Sequence, residues 1–175
     1  MTSNPLLDRD TIAALLSEVA AELESQGVRG RMFVVGGAAI ALAFGRNRTT
    51  RDVDAVFEPK GVVYAAARDV AKRRGLPPDW LNDGVKGFLH RADPDATVAL
   101  DEPGLSVEIA SPRYLFTMKA LAARVDRDAS DLQLLYRVCG FADVDDALDH
   151  VATTASAGLL QPKTEFLLRE LLEEH

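Results

Sequence analysis

The stretch from Met32 to Phe57, MFVVGGAAIALAFGRNRTTRDVDAVF, limits the possible folds more tightly than any other part of the chain. Met32 to Val35 is an apolar, β-branched-rich run that stops at Gly36-Gly37. That pattern suits a buried strand ending in a turn that needs positive φ or a close backbone approach. Ala38 to Phe44 is small and apolar, as a helix packed tightly on that strand would be. Backbone N–H groups at a strand–Gly–helix junction lack intrahelical partners and favour an anion such as a triphosphate. In Asp52-Val53-Asp54-Ala55-Val56-Phe57 the alternation sets Asp52 and Asp54 on one face of a strand and Val53, Ala55 and Phe57 on the other. Two adjacent carboxylates repel each other unless a cation lies between them, and hard divalent ions with oxygen ligands suit such a pair. The plainer alternative makes Asp52 a solvated loop residue and Asp54 a water-facing residue of a half-exposed strand.

The rest of the chain reads as elements that support this stretch. Met1 to Pro5 has the composition of a frayed terminus. From Asp8 or Asp10 as N-cap, Ile12, Leu15, Leu16, Val19 and Leu23 recur at helical spacing until Gly27. Gly61 to Arg74 reads as a second helix, closed by Gly75 and Pro77-Pro78. The single tryptophan, Trp80, suits a core anchor for the loop that follows; a base-stacking role lacks aromatic company. Thr97–Leu100 and Leu105–Ala110 flank Asp101-Glu102-Pro103-Gly104, a turn signal, and predict a hairpin. Alternation puts Glu108 opposite the core face of Leu105, Val107 and Ile109, where it completes a three-carboxylate site if its strand lies beside that of Asp52 and Asp54. Otherwise it is an exposed strand glutamate. Ser111-Pro112 predicts a capped helix over Arg113 to Arg124. A further helix opens near Asp128, for which N-cap and site roles are both open, with Asp131 on a neighbouring position of the same face. Another runs from Asp143 to about Ala155, and a last one from Lys163 to Glu174.

Composition narrows the function. The formal net charge of −7 argues against broad, sequence-independent adhesion to nucleic acid. Arg46, Arg48 and Arg51 nevertheless form a basic loop that could meet nucleotide phosphates or an acceptor backbone. Lys72-Arg73-Arg74 reads as a cluster answering a helix C-terminus. The lone cysteine, Cys139, excludes an internal disulfide and suits a buried structural thiol. His90, His150 and His175 are scattered without zinc-ligand spacing, and there is no P-loop. With 175 residues the chain can bury roughly 70% of the surface it exposes when unfolded. No apolar run approaches membrane-spanning length and no signal-peptide pattern opens the chain, so the expectation is a soluble cytoplasmic protein with no membrane partner.

Gly36-Gly37 followed by Thr49-Thr50-Arg51-Asp52-Val53-Asp54 resembles the signature of the nucleotidyltransferase superfamily with a polymerase-β-like core. More narrowly, with Pro78-Asp79-Trp80-Leu81-Asn82, it resembles bacterial abortive-infection and type IV toxin–antitoxin nucleotidyltransferases. The resemblance runs from about Phe33 to Leu135 and implies an α/β (α+β) fold. A small mixed sheet with flanking helices would form the core over residues 1–111, with a C-terminal helical part over 112–175 in the same structural unit. It implies metal ligation by Asp52, Asp54 and a third acid, Glu108, holding Mg²⁺ or Mn²⁺, with an NTP as substrate. Lys119, on the helix Met118-Lys119-Ala120-Leu121-Ala122-Ala123-Arg124, is the residue that would face the triphosphate. Asp131, in Arg127-Asp128-Ala129-Ser130-Asp131-Leu132, would orient Lys119 or Arg124. The implied nucleotide-contacting set is Gly36, Gly37, Arg48, Thr50, Arg51, Arg124 and Asp128. The implied acceptor is the 3′ end of tRNA, and the implied role that of a toxin opposed by a cognate antitoxin protein. A small molecule or protein as acceptor, and a catalytically silent binding protein of the same fold, are the rival readings; a DxD glycosyltransferase fits the Gly-Gly lead-in poorly.

Overall fold

The computed structural model describes residues 5–45, 47–85, 92–122, 124–155 and 160–173. Arg46, His90, Ala123, Glu174 and His175, singled out above, lie outside the described residues, as do residues 1–4. The described residues fall into two compact units that divide between Ala110 and Ser111, with Asp93 belonging to the second.

The first unit holds the strands. Its elements are β1 (Leu7–Asp8), α1 (Arg9–Ser25), β2 (Gly30–Val35), α2 (Gly36–Phe44), β3 (Thr49–Thr50) and β4 (Val53–Glu58), then α3 (Lys60–Arg74), β5 (Leu81–Asn82), β6 (Thr97–Glu102) and β7 (Leu105–Ile109). Five strands form one mixed sheet in the order β5-β4-β2-β7-β6, while β1 and β3 make a separate antiparallel pair. Strand β2 is central, antiparallel to β4 and parallel to β7. The period-two pattern sends Met32, Val34, Val53, Ala55, Phe57, Leu105 and Val107 to a buried face. Helices α1 and α3 cover that side with Ile12, Leu16, Val19, Val63, Ala66 and Val70, the apolar stripe expected at helical spacing. Asp8 caps α1 by accepting from the Thr11 N–H at 2.8 Å.

The β6–β7 hairpin forms with a shorter connection than the turn signal suggests, because pairing continues to Glu102↔Leu105 and leaves only Pro103-Gly104 between the strands. Gly104 is obligatory there: a Cβ on it would lie 1.9 Å from the Ala20 carbonyl oxygen of α1. Trp80 is the predicted anchor, buried, with its indole N–H donating to the Ala67 carbonyl at 2.9 Å.

The second unit consists of α4 (Pro112–Leu121), α5 (Val125–Cys139), α6 (Val144–Thr154) and α7 (Pro162–Glu173). Ser111 caps α4 with Pro112 behind it, as the dipeptide predicts; its backbone N–H and hydroxyl donate to Asp93 at 2.6 and 2.9 Å. Leu115, Phe116, Leu132, Leu135, Phe141, Val151 and Leu168 form its core. Asp143 caps α6. Helix α5 begins at Val125 rather than at Asp128, so Asp128 lies inside the first turn and is not the N-cap. Among the described residues no helix is long and apolar enough to cross a membrane.

Candidate active site

The site grows from the end of β2. Val35 pairs with Asp54 across the antiparallel β2–β4 ladder, and the chain turns at once into α2 through Gly36, whose φ is +63°. Only glycine adopts that conformation without strain. The N-cap residue of α2, Val35, has no side chain that caps it, and the first turn of the helix carries no acidic residue. The two glycines also set how closely the neighbouring strands approach. A Cβ at Gly36 would stand 3.3 Å from Asp54 Oδ2, and one at Gly37 would stand 3.0 Å from Thr50 Oγ1. A carboxylate and a hydroxyl are thus drawn against the positive end of a helix, whose partial charge favours anions.

The remaining predicted residues of this unit fall around that junction to different degrees. Asp54 is half-buried within β4, and Asp52 is half-buried in the bend that leads into it. Buried Val53 separates them, as the alternation requires. The Thr50 hydroxyl donates to the Asp52 carbonyl at 3.1 Å and fixes the bend. Arg48 is half-buried and Arg51 exposed.

Glu108 does not join the pair. It is exposed on β7, in register with Phe33, and β2 stands between β7 and β4. Because Phe33 is also in register with Val56, Glu108 sits level with Val56 rather than Asp54. Two strand spacings of about 4.8 Å and an offset of two residues at about 3.3 Å put the two acids roughly 12 Å apart at Cα. The condition for a three-carboxylate site, adjacency of the two strands, is therefore unmet. Among the described residues no group of three His, Cys, Asp or Glu side chains could share an ion. Glu108 instead lines a concavity of about 500 Å³ on the open face of the sheet, together with Arg31, Phe33, Val56, Lys60 and Asp83.

In the second unit, Lys119 is gripped by both acids of α5. Its Nζ lies 2.8 Å from Asp128 Oδ1 and 2.9 Å from Asp131 Oδ2, and the three side chains are only 12%, 16% and 22% exposed. The Asp128 carboxylate, for which the sequence leaves cap and site roles both open, is turned onto this lysine. Arg124 is exposed and precedes α5, its carbonyl accepting from the Asp128 N–H at 2.9 Å. Cys139 is half-buried, and burial pushes its thiol up to about 11, so it is no thiolate at neutral pH.

One cluster has no counterpart in the sequence reading. The Tyr64 hydroxyl donates to Asp83 Oδ1 at 2.7 Å and accepts from the Asp83 N–H at 3.1 Å, while Lys60 Nζ lies 2.5 Å from Asp83 Oδ2. The Lys60 bond, then the Tyr64 bond, holds the Asp83 carboxyl below the usual aspartate value. The signal available in the sequence was the short Leu81-Asn82 step after Trp80, too brief to read as a strand.

Residues 12–77 match the family model described as "Nucleotidyl transferase of unknown function (DUF2204)". The matched stretch contains Gly36-Gly37 and the Asp52–Asp54 strand and ends before Lys119. No curated protein and no solved structure matches the chain.

Proposed function

We propose, from the nucleotidyltransferase superfamily assignment that this match supports, that the protein is a metal-dependent enzyme moving an NMP from an NTP to an acceptor hydroxyl. The observation that carries the reading is the start of α2, which has no cap from its N-cap side chain, set against Asp54 and Thr50 by two glycines at which a Cβ would stand only 3.3 and 3.0 Å from them. The α2 N–H groups would hold the phosphate chain without a desolvation penalty for a fixed cation. Asp52 and Asp54 would hold Mg²⁺ or Mn²⁺, with water and phosphate oxygens completing its coordination. Such an ion, when bound, polarises the α-phosphate and lowers the acceptor hydroxyl's pKa.

The acceptor oxygen forms a new bond to the α-phosphorus as the bond to the β-phosphate oxygen breaks; pyrophosphate leaves and the hydroxyl proton passes to solvent. Positioning and electrostatic stabilisation supply the rate, so no covalent nucleophile is required. In this scheme Lys119, with Asp131 and Asp128 fixing its ammonium, would neutralise charge on the leaving pyrophosphate. Arg48, Arg51 and Arg124 would provide further phosphate contacts. The acceptor we propose is the 3′ end of tRNA, and the role that of a toxin with a cognate antitoxin.

A second acceptor class has its own support. The open-face concavity has the size of a small-molecule site. Two of its cations are already paired, Arg31 with Glu58 at 2.6 Å and Lys60 with Asp83 at 2.5 Å. Together with the net charge of −7, this suits a neutral or cationic hydroxyl compound, or a protein side chain, at that concavity.

The test is incubation of the wild type and the Asp52→Ala/Asp54→Ala double variant with total bacterial RNA, Mg²⁺ and each α-labelled NTP in turn. Label in tRNA-sized bands with the wild type, reduced at least roughly 100-fold in the variant, is the expected result. No label while NTP binding persists would eliminate RNA as acceptor. Equal labelling by both proteins would remove the two aspartates from the mechanism.

A further inference from the structure

The open face of the sheet carries one more polar side chain beside Asp54. Asn82 on β5 is the parallel register partner of Asp54 on β4, as Leu81 is of Val53. Leu81 and Val53 are both fully buried, so their neighbours Asn82 and Asp54 share the opposite face. The amide has a fixed orientation: its Oδ1 accepts from the Gly84 N–H at 3.1 Å, which turns Nδ2 the other way. Among the described residues Nδ2 has no hydrogen-bond partner, and no buried side-chain nitrogen or oxygen is unsatisfied. The two donors of Nδ2 therefore reach accessible space next to the carboxylate.

The segment that presents this amide is held more firmly than a surface connection needs to be. On one side the Val53 N–H donates to the Trp80 carbonyl at 2.6 Å, and the Trp80 indole is anchored in the core. On the other side Asp83 is held by the Tyr64 hydroxyl through two bonds and by Lys60 through a third. Phe57 supports Tyr64 edge to face, with centroids 4.8 Å apart. Asn82 is thus pinned on both flanks while its own amino group is left unused, the arrangement of a preorganised donor.

We infer that Asn82 is a nucleotide-contacting residue whose Nδ2 donates to a ribose hydroxyl oxygen, with Asp83, Tyr64 and Lys60 as its positioning residues. This rests on the nucleotidyl-transfer reading above. The order of groups across the sheet decides which part of the nucleotide is met: the α2 N-terminus follows β2, Asp54 lies on β4, and Asn82 lies one strand further out on β5. A nucleotide with its phosphate chain on α2 and its α-phosphate at Asp54 places its sugar about one strand spacing, roughly 4.8 Å, beyond.

Titration calorimetry with two probes, each with Mg²⁺, tests this: a non-hydrolysable α,β-methylene NTP and inorganic tripolyphosphate, which has no sugar. Asn82→Ala is expected to weaken the NTP analogue roughly tenfold and to leave tripolyphosphate unchanged. Asn82→Ser, whose hydroxyl can still accept from the Gly84 N–H as an ST-turn does but is too short to reach the sugar, is expected to behave alike. Tyr64→Phe should show a smaller loss of the same selectivity. If the wild type binds the analogue and both Asn82 variants bind it equally well, the assignment of Asn82 is wrong and the enzyme reading stands. Parallel weakening of both probes would make Asn82 a structural residue. If the wild type binds neither probe, the nucleotidyl-transfer reading falls and this inference with it.

Discussion

Each unit of the molecule holds a lysine against aspartate, and the two clusters differ in how far they are removed from water. Lys60 and Asp83 in the first unit are 56% and 19% exposed, and Asp83 is shared with a tyrosine. Lys119 in the second unit is 12% exposed, and both of its partners are acids that are themselves largely covered. The chemistry of pairing is the same, but its energetic meaning is not. An exposed pair gains little because water already solvates both ions and salt screens them. A covered pair has given up that solvation, so removing one member leaves a charge without compensation. A lysine held by two aspartates keeps its ammonium fixed in one place, with a hydrogen-bonded carboxylate on each of two donors. The first cluster therefore serves to hold a backbone segment in place, and the second to hold a charge.

Breaking the second cluster should have the largest effect. Lys119→Ala leaves Asp128 and Asp131 facing each other and is expected to cost about 3 kcal/mol of stability, read as a lower urea midpoint. Combining it with Asp128→Asn and Asp131→Asn should recover most of that loss, since no like-charge pair then remains. If Lys119→Ala alone unfolds at the wild-type midpoint, the covered cluster is energetically equivalent to the exposed one and the contrast disappears. Asp131→Asn, which leaves Lys119 with one charged partner, should cost less, about 1–2 kcal/mol.

The two units were also unequally legible in the sequence, and for physical reasons. Local chemistry was readable in both: Asp8 and Ser111-Pro112 cap as expected, and the Val53-Ala55-Phe57 alternation buries the side it predicts. These features are fixed by residues within a few positions of one another. The Gly36-Gly37 turn was legible for the same reason, because positive φ and close approach both demand glycine. What could not be read was anything decided by partners far away in the chain. Glu108 has the alternation of a site residue, yet β2 occupies the place beside β4 that the three-acid arrangement needs. Asp128 has the composition of an N-cap, yet a lysine nine residues earlier claims its carboxylate and α5 starts at Val125. Asn82 owes its position to a two-residue strand, too short to leave a periodic trace, held by a tyrosine 19 residues before Asp83.

The first cluster yields the smaller effects. Tyr64→Phe removes a donor to an ionised carboxylate and leaves the Asp83 N–H without its partner, for which a fall in melting temperature of about 2–4 °C is expected. Lys60→Ala, at the surface, should shift melting by less than Tyr64→Phe, and by still less at high salt. Its clearest trace is in titration. The Asp83 carboxyl is held below the ordinary aspartate value of 3.8, first by the Lys60 bond and then by the Tyr64 bond. A lowered folded value means that the unfolded chain binds the proton more readily. The stabilisation is therefore fully present above pH 3.8 and is lost as pH falls through the folded value. Lys60→Ala should move that value back towards 3.8 and narrow the window. Carboxyl-carbon NMR across pH 2 to 6 would measure both. An Asp83 midpoint at or above 3.8 in the wild type would mean that the exposed cluster does not form in solution, and that Asn82 lacks the support its placement beside Asp54 depends on.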